Sequence, residues 1–99
     1  MLIFVAHKDD SAADYDRARR ITHDLQLDDT ANCYICPLMA FSHLRHGDVD
    51  IDTEMLICED LLTVCDVLLV ASELSKSVRR QIALARKIHM GVTYLEDRA

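Results

Sequence analysis

Residues 63–90 read TVCDVLLVASELSKSVRRQIALARKIHM, and this stretch decides the fold that the sequence predicts. Residues 66–71 form an apolar run behind a single acid, which indicates a strand buried on both faces. A short polar connection follows, and a helical pattern begins at Lys76. Its apolar side chains recur at spacings of four and three, at Val78, Ile82, Ala85 and Ile88.

A second strand is predicted directly after this helix. Gly91 lies where a left-handed C-cap is expected, and residues 92–95 resume an extended apolar pattern. Strand, loop, helix and strand together make a βαβ unit. Because ligands of open parallel sheets bind beyond the carboxyl ends of the strands, we expect the functional site near residues 72–77.

The rest of the chain repeats the alternation of strand and helix. The predicted elements are a strand at 2–6, a helix at about 12–27 capped by Asp10 or Ser11, a strand at 32–36 ended by Pro37, a connection at 38–49, and a helix at about 53–64 capped by Asp50 or Asp52. We therefore predict an α/β fold of the Rossmann or flavodoxin-like sort, with four parallel strands and three helices in three layers. Right-handed crossovers favour the strand order 2-1-3-4.

Length and composition indicate one domain over residues 1–99, because so short a chain has no room for a second core. Hydrophobic residues make up 51% of the chain, which excludes a disordered protein. No apolar run is long enough to span a membrane, and no basic region precedes the first one. We expect a cytoplasmic protein with no membrane partner, whose four cysteines are buried, reduced thiols.

Charge is unevenly distributed along the chain. The formal net charge of −6 argues against a partner that is duplex nucleic acid. Five basic residues nevertheless fall within twelve positions that contain no acid: Lys76, Arg79, Arg80, Arg86 and Lys87. An acidic segment at 48–60 lies just upstream. Solvated faces of opposite sign that partly pair are one explanation of this pattern.

The start of the helix at Lys76 offers another explanation. Ser75 and Ser77 can cap it, and the free N–H groups of a helix N-terminus favour an anion. The macrodipole disfavours Lys76, Arg79 and Arg80 here, by ~0.3–1 kcal/mol each at exposed sites. A bound phosphate or carboxylate would offset this repulsion, and so would Glu73 with the acidic segment. Both interpretations stay open.

Metal and cofactor motifs are weak or missing in this sequence. Cys33, Cys36, His43 and His46 have a superficial zinc-site pattern. Their spacing is short for a zinc finger, and two cysteines three apart on a strand point to opposite faces. The sequence contains neither a GxGxxG nor a GK[ST] phosphate loop. We predict no metal and no cofactor.

Several ordered motifs do resemble a known family. They are Pro37, Phe41 and His43, then CDVLLV at 65–70, then Ser75-x-Ser77-x3-Gln81-x3-Ala85, then Gly91-Val92-Thr93. This series resembles the nucleoside 2-deoxyribosyltransferase-like superfamily, including its small bacterial and phage relatives of undefined function. The family pattern is an acid before an apolar strand, then S-x-G-x3-E-x3-A, then a closing strand that begins with glycine. The resemblance extends from the strand at 2–6 to Leu95.

Members of this superfamily cleave or exchange the N-glycosidic bond of nucleosides or nucleotides, and many are dimers in which a neighbour completes the site. Their motif Glu is the nucleophile, and their motif Ser holds the 5′ end or its phosphate. By position, the resemblance implies that Gln81 takes the nucleophile position, Asp66 the strand acid and Ser75 the motif Ser. The remaining candidates for ligand or phosphate binding are Ser77, Arg79 and Arg80, from the start of the helix at Lys76, and His7, Pro37 and His43, from the motif positions and the end of the first strand. A simpler role for Asp66 is also open, in which its carboxylate contacts a backbone N–H.

Gln81 is the departure that matters for activity, because a neutral amide cannot form the glycosyl ester that a carboxylate forms. Ser77 also replaces the family's Gly. The leading hypothesis is therefore a non-catalytic module that binds a nucleotide or a phosphorylated nucleoside-like ligand and forms a homodimer or larger assembly. An active N-glycosidase that uses Glu73 or Asp66 is one alternative. A structural or protein-interaction module is the other, and whether the protein is an enzyme stays open.

Overall fold

A computed structural model describes residues 1–45 and 47–98, with the side chains of 97 and 98 left aside. The strands are β1 (Leu2–Ala6), β2 (Cys33–Ile35), β3 (Val67–Val70) and β4 (Gly91–Tyr94). The helices are α1 (Ala12–Asp28), α2 (Pro37–Ala40), α3 (Ile51–Thr63) and α4 (Lys76–Lys87), followed by a 3-10 turn at Leu95–Arg98. No helix in this described part is long and apolar enough to cross a membrane.

The four strands form one parallel sheet in the order β2-β1-β3-β4, which confirms the predicted fold class and strand order. Phe4 pairs with Ile35 on one side and with Leu68 on the other, so β1 lies inside the sheet. The chain leaves β1 toward β2 and leaves β3 toward β4. The loops after β1 and β3 therefore diverge, and a crevice opens between them at the carboxyl edge of the sheet.

Helices cover both faces of the sheet because successive strand residues point to opposite sides. Phe4 and Ala6 pack into a buried cluster with Leu62 of α3 and Val78 of α4. Side chains of the other parity, such as Val5, form a second cluster with Ala18 of α1. The result is the predicted three-layer arrangement, with α1 on one face and α3 and α4 on the other.

Side-chain caps begin the three long helices. Ser11 Oγ accepts a hydrogen bond from Asp14 N–H at 3.2 Å, and Asp50 Oδ1 accepts one from Thr53 N–H at 2.7 Å. Ser75 Oγ accepts one from Val78 N–H at 3.2 Å. The structure thus selects one residue from each pair of predicted caps.

Four details of the sequence prediction are wrong. Pro37 follows β2 and also begins the short helix α2, in a segment that was predicted as an irregular connection. Proline is tolerated at the first helical position because the N–H that it lacks would have no acceptor within the helix. The third helix begins at Ile51 rather than at about residue 53. The left-handed residue after α4 is His89, with φ of 61°, and Gly91 is the first residue of β4. Cys33 is exposed and Cys58 is only half-buried, whereas all four cysteines were predicted to be buried; all four thiols are free.

Asp29 fastens the end of α1 to β2. Its Oδ2 accepts hydrogen bonds from Asn32 Nδ2 and from the Tyr34 hydroxyl, both at 2.8 Å, and its Oδ1 accepts one from Ala31 N–H at 3.1 Å. These hydrogen bonds hold the pKa of the Asp29 carboxyl below its usual range, and the bond from Asn32 has the largest effect. Since they favour the ionised form, they stabilise the folded state while the carboxyl is charged.

This arrangement predicts a specific loss of stability in acid. A carboxyl whose pKa is lowered by folding adds stability above its unfolded pKa, and this contribution is lost as pH falls through the folded value. Asp29→Asn should therefore lower the free energy of unfolding at pH 7 and flatten its decline below pH 5. Urea denaturation at a series of pH values measures this. Asp28→Asn, at an exposed neighbour, is the control, and identical acid profiles for the two variants would contradict the prediction.

Candidate functional site

A cavity of about 410 Å³ lies at the carboxyl edge of the sheet, between the loop after β1 and the helices α3 and α4. We call it the edge cavity. Its lining residues are His7 and Asp9 after β1, Tyr15 on α1, Pro37, Leu38, Phe41, Ser42 and Leu44 in and after α2, Ile51, Glu54, Met55, Ile57, Cys58 and Glu59 on α3, and Ser77, Arg80 and Gln81 on α4. Its volume is within the usual range for small-molecule sites, and its position is where open parallel sheets bind ligands.

His7 lines this cavity and is only 4% exposed. Its Nδ1 is 2.6 Å from the carbonyl oxygen of Lys8, which can only accept, so Nδ1 carries the proton that it donates. Nε2 is buried and has no hydrogen-bond partner among the described residues. In the neutral ring this nitrogen is an acceptor, ready for a donor that enters the cavity.

The backbone that carries His7 is held by the neighbouring residue, Lys8. Lys8 N–H donates to Ser72 Oγ at 2.9 Å, which joins the loops after β1 and β3. Its Nζ lies 3.1 Å from Glu73 and 3.6 Å from Asp14. The hydrogen bond to Glu73, and then the charge of Asp14, raise the pKa of Lys8. This network fixes the position of the imidazole in the cavity wall.

Gln81 and Glu59 present side-chain carbonyl and carboxylate groups from the two helices that flank the cavity. Gln81 is 9% exposed, and its Oε1 is buried without a partner among residues 1–45 and 47–98. Glu59 is largely buried and forms an ion pair with Arg80 Nε. Arg80 Nη1 also donates to Met55 Sδ at 3.2 Å. The guanidinium is therefore turned toward α3 and is already engaged.

Two other titratable groups complete the wall. Partial desolvation, followed by the negative charge of Asp10, raises the pKa of the Asp9 carboxyl at the rim. Burial, together with the charge of Glu54, raises the pKa of the Cys58 thiol to about 11. Because the thiolate is the reactive form, Cys58 is not an activated nucleophile at neutral pH.

The remaining wall is apolar and is supplied mainly by the connection between β2 and α3. Phe41 and Leu44 follow α2, and Met55 and Ile57 come from α3. The ring of Phe41 contacts that of His43 edge-on, with centroids 6.3 Å apart. An apolar wall opposite a few convergent polar groups is the usual composition of a site for a ring-bearing ligand.

The structure brings five of the residues expected from the sequence to this cavity and leaves four outside its lining. Those that line it are His7, Pro37, Ser77, Arg80 and Gln81. Ser75 caps α4 and makes a 3.1 Å hydrogen bond to Ser77 Oγ. Arg79 and His43 are exposed. Asp66 is at the opposite edge of the sheet, where its Oδ2 accepts from Leu2 N–H at 2.7 Å, the simpler of its two predicted roles.

Glu59 is the main residue that sequence reasoning did not single out. It appeared only as one of several acids in the segment at 48–60. A usable signal was present, because Glu59 lies four residues after Met55 and three before Leu62 and so shares the apolar face of α3. A carboxylate on a buried stripe is unusual and needs a partner. Here the partner is Arg80.

Metal binding has no geometric support in the part of the chain that the structure describes, where no cluster of three or more His, Cys, Asp or Glu side chains could hold an ion. Of the zinc-like set, Cys36 is buried and Cys33 is exposed. His46 lies outside the described residues.

Fold and cavity together define a class: a parallel α/β protein with a small-molecule-sized cavity at the crevice where its loops diverge. The chain matches no protein-family model, no curated protein and no solved structure.

Proposed function

We propose that the edge cavity binds a nucleoside or its 5′-monophosphate and that the protein does not cleave it through a covalent glycosyl intermediate. The observation that carries the proposal is that two groups of the cavity lining, His7 Nε2 and Gln81 Oε1, are buried and have no hydrogen-bond partner among the described residues. Leaving a buried acceptor unsatisfied costs about 1–3 kcal/mol. Hydroxyl and amino groups of a nucleoside are donors that would relieve this cost, and the apolar wall around Phe41 and Met55 suits the face of its base.

The first turn of α4 suits the 5′ end of such a ligand. Ser77 lines the cavity, and the N–H groups of Lys76 and Ser77 have no acceptor within the helix. A hydroxyl or phosphate placed there would also benefit from the positive end of the helix dipole. Arg79 is exposed one turn into the helix and would add a long-range attraction that salt screens.

Binding is tested by thermal shift and calorimetry with a panel of nucleosides and their 5′-monophosphates. We expect saturable binding and a rise in Tm for at least one nucleoside at millimolar concentration, because a ligand that binds only the folded state stabilises it. The absence of any shift and any heat across the whole panel would contradict the proposal.

Gln81→Leu separates a binding role from a structural one. Leucine has a similar size and no carbonyl, so the free protein should gain about 1 kcal/mol in its free energy of unfolding. Nucleoside binding should weaken by about 2–12-fold through the loss of one hydrogen bond. Urea denaturation and calorimetry measure these opposite changes.

The control for Gln81→Leu is Arg86→Leu, on the same helix and exposed. It should leave nucleoside affinity unchanged. A Gln81→Leu protein that is less stable and binds nucleoside as well as the wild type would show that Gln81 is a packing residue only.

A second candidate function, N-glycosidase activity, is favoured by one observation. Glu59 places a carboxylate in the same cavity as Gln81. Neither Glu73 nor Asp66, the acids considered from the sequence, lines the cavity: Glu73 pairs with Lys8, and Asp66 is at the far edge of the sheet. If the protein cleaves nucleosides, Glu59 is the acid best placed to act.

A homodimer through α3 is the assembly that we propose, because this helix leaves several large apolar side chains in solvent. Ile51 is 71% exposed, and Leu56 and Val64 are more than half exposed. Light scattering at micromolar concentration should give twice the monomer mass, and Leu56→Asp should give the monomer by placing a charge in the interface. A wild-type protein that is monomeric at that concentration would contradict this assembly.

A further inference from the structure

The charges around the edge cavity do not balance. Asp9, Glu54 and Glu59 contribute three carboxylates, whereas Arg80 contributes the one guanidinium of the lining. That guanidinium already pairs with Glu59. Neither Asp9 nor Glu54 forms an ion pair with any residue of the described part. Two carboxylates of the lining therefore have no ion-pair partner among the described residues.

The hydrogen-bonding groups of the lining have the same preference. His7 and Gln81 both line the cavity and are more than nine-tenths buried, and each has one atom without a partner among the described residues. Since His7 Nδ1 donates to the Lys8 carbonyl, Nε2 offers a lone pair in the neutral ring, and Gln81 Oε1 is an acceptor as well. Acceptors and carboxylates in one lining both favour a ligand that is rich in hydrogen-bond donors.

The aromatic side chains of the lining suit a positive charge too. Tyr15 and Phe41 both border the cavity, and the faces of such rings attract cations by their quadrupole. Met55 adds a polarisable sulfur on the same wall. An anionic base would meet the unpaired carboxylates instead and would be repelled.

We infer that the edge cavity selects a nucleoside whose base carries a positive charge, such as an N-linked pyridinium riboside, over neutral and anionic rings of the same shape. This inference rests on the proposed function, nucleoside binding in this cavity. The cationic ring lies between Asp9 and Glu54 and against the aromatic wall, while the ribose hydroxyls donate to His7 Nε2 and Gln81 Oε1.

The test compares two isosteres by calorimetry. One is 3-carbamoylpyridinium riboside, and the other is 3-carbamoylphenyl C-riboside, in which carbon replaces the charged ring nitrogen. We expect the cation to bind about tenfold more tightly at low salt, because several weak charge contacts act together. Added salt should reduce this preference, because it weakens the binding of the cationic riboside and leaves that of the neutral C-riboside unchanged.

Matched variants identify the source of the preference. Glu54→Gln and Asp9→Asn should each narrow the ratio of the two dissociation constants by about 2–5-fold, the size of an exposed charge contact. Asp60→Asn, on an exposed position of α3 that does not line the cavity, should leave the ratio unchanged. All three sites are exposed, so the variants should fold.

The outcomes separate this inference from the function on which it rests. Equal or tighter binding of the neutral C-riboside, or a preference that neither Glu54→Gln nor Asp9→Asn alters, overturns the inference and leaves nucleoside binding intact. If neither this pair nor any other nucleoside or 5′-monophosphate binds, the proposed function itself is overturned. A tenfold preference that both variants narrow and Asp60→Asn does not narrow supports a site for cationic nucleosides.

Discussion

Leu62→Ala should lower the free energy of unfolding by about 2–5 kcal/mol, while Leu27→Ala should change it by about 0.5 kcal/mol or less. Leu62 is fully buried between α3 and the sheet, in the cluster that contains Phe4 and Leu68. Truncation removes apolar contacts and leaves a cavity that close-packed neighbours fill only in part. Leu27 undergoes the same chemical change near the end of α1, where it is 66% exposed. Urea denaturation followed by circular dichroism measures both values.

The free energy of unfolding of a domain is only about 5–15 kcal/mol, so this loss is a large fraction of the total. Leu62→Met keeps the volume of the side chain and should cost less than about 1.5 kcal/mol, which provides a folded reference. A Leu62→Ala protein as stable as the Leu27→Ala control would mean that α3 does not pack on the sheet through this residue.

The same burial explains which parts of the fold could be predicted from the sequence. β1 and β3 are inner strands covered on both faces, so their sequences are continuous apolar runs bounded by polar loops. The helices that pack on the sheet show a helical spacing of buried residues, as at Val78, Ile82 and Ala85 of α4. These patterns depend on local periodicity alone, and they were enough to predict a parallel sheet. Its strand order required the right-handed crossover rule as well.

Local periodicity fails where an element is short or where one backbone conformation decides its end. α2 has only four residues, too few for any period to appear, and the proline that begins it also resembles a stop signal. At the end of α4, a glycine is the residue expected to adopt positive φ, but His89 does so two positions earlier. Gly91 is then free to begin β4.

Only some residues of the candidate site could be predicted from the sequence, for a different reason. His7 and Pro37 follow strand ends, and Ser77, Arg80 and Gln81 lie in the first half of α4, so all five are near the carboxyl edge of the parallel sheet. The contact between Glu59 and Arg80 joins two helices and depends on how they pack, which no spacing along the chain reveals. That contact changes the interpretation of the basic residues at 76–87, because one of them, Arg80, neutralises Glu59 of the protein itself.

The wild-type protein should release free base from nucleosides no faster than the Gln81→Ala variant, both at the rate of the uncatalysed reaction. The amide of Gln81 cannot form a glycosyl ester, so a covalent route through this position lacks its nucleophile. In a serine protease, removal of the nucleophile lowers kcat by about 10⁶-fold. A deficit of this order, relative to an enzyme that has its nucleophile, is expected for base release by the wild-type protein. Chromatography of nucleosides and 5′-monophosphates incubated with each protein measures the free base.

Gln81→Glu should raise base release above the wild-type rate, because it places a carboxylate in the cavity wall, where the motif that this sequence resembles has its nucleophilic Glu. Two acids would then share the cavity, since Glu59 also lines it, and like charges that are close raise the pKa of one of them. The restored activity should therefore depend on pH, with one carboxyl ionised and the other available as an acid. Ser77→Gly, added to Gln81→Glu, tests whether the serine side chain obstructs the ligand. Base release by the wild-type protein that persists in Gln81→Ala would contradict this account. If base release were then lost in Glu59→Gln, Glu59 would be identified as the catalytic acid.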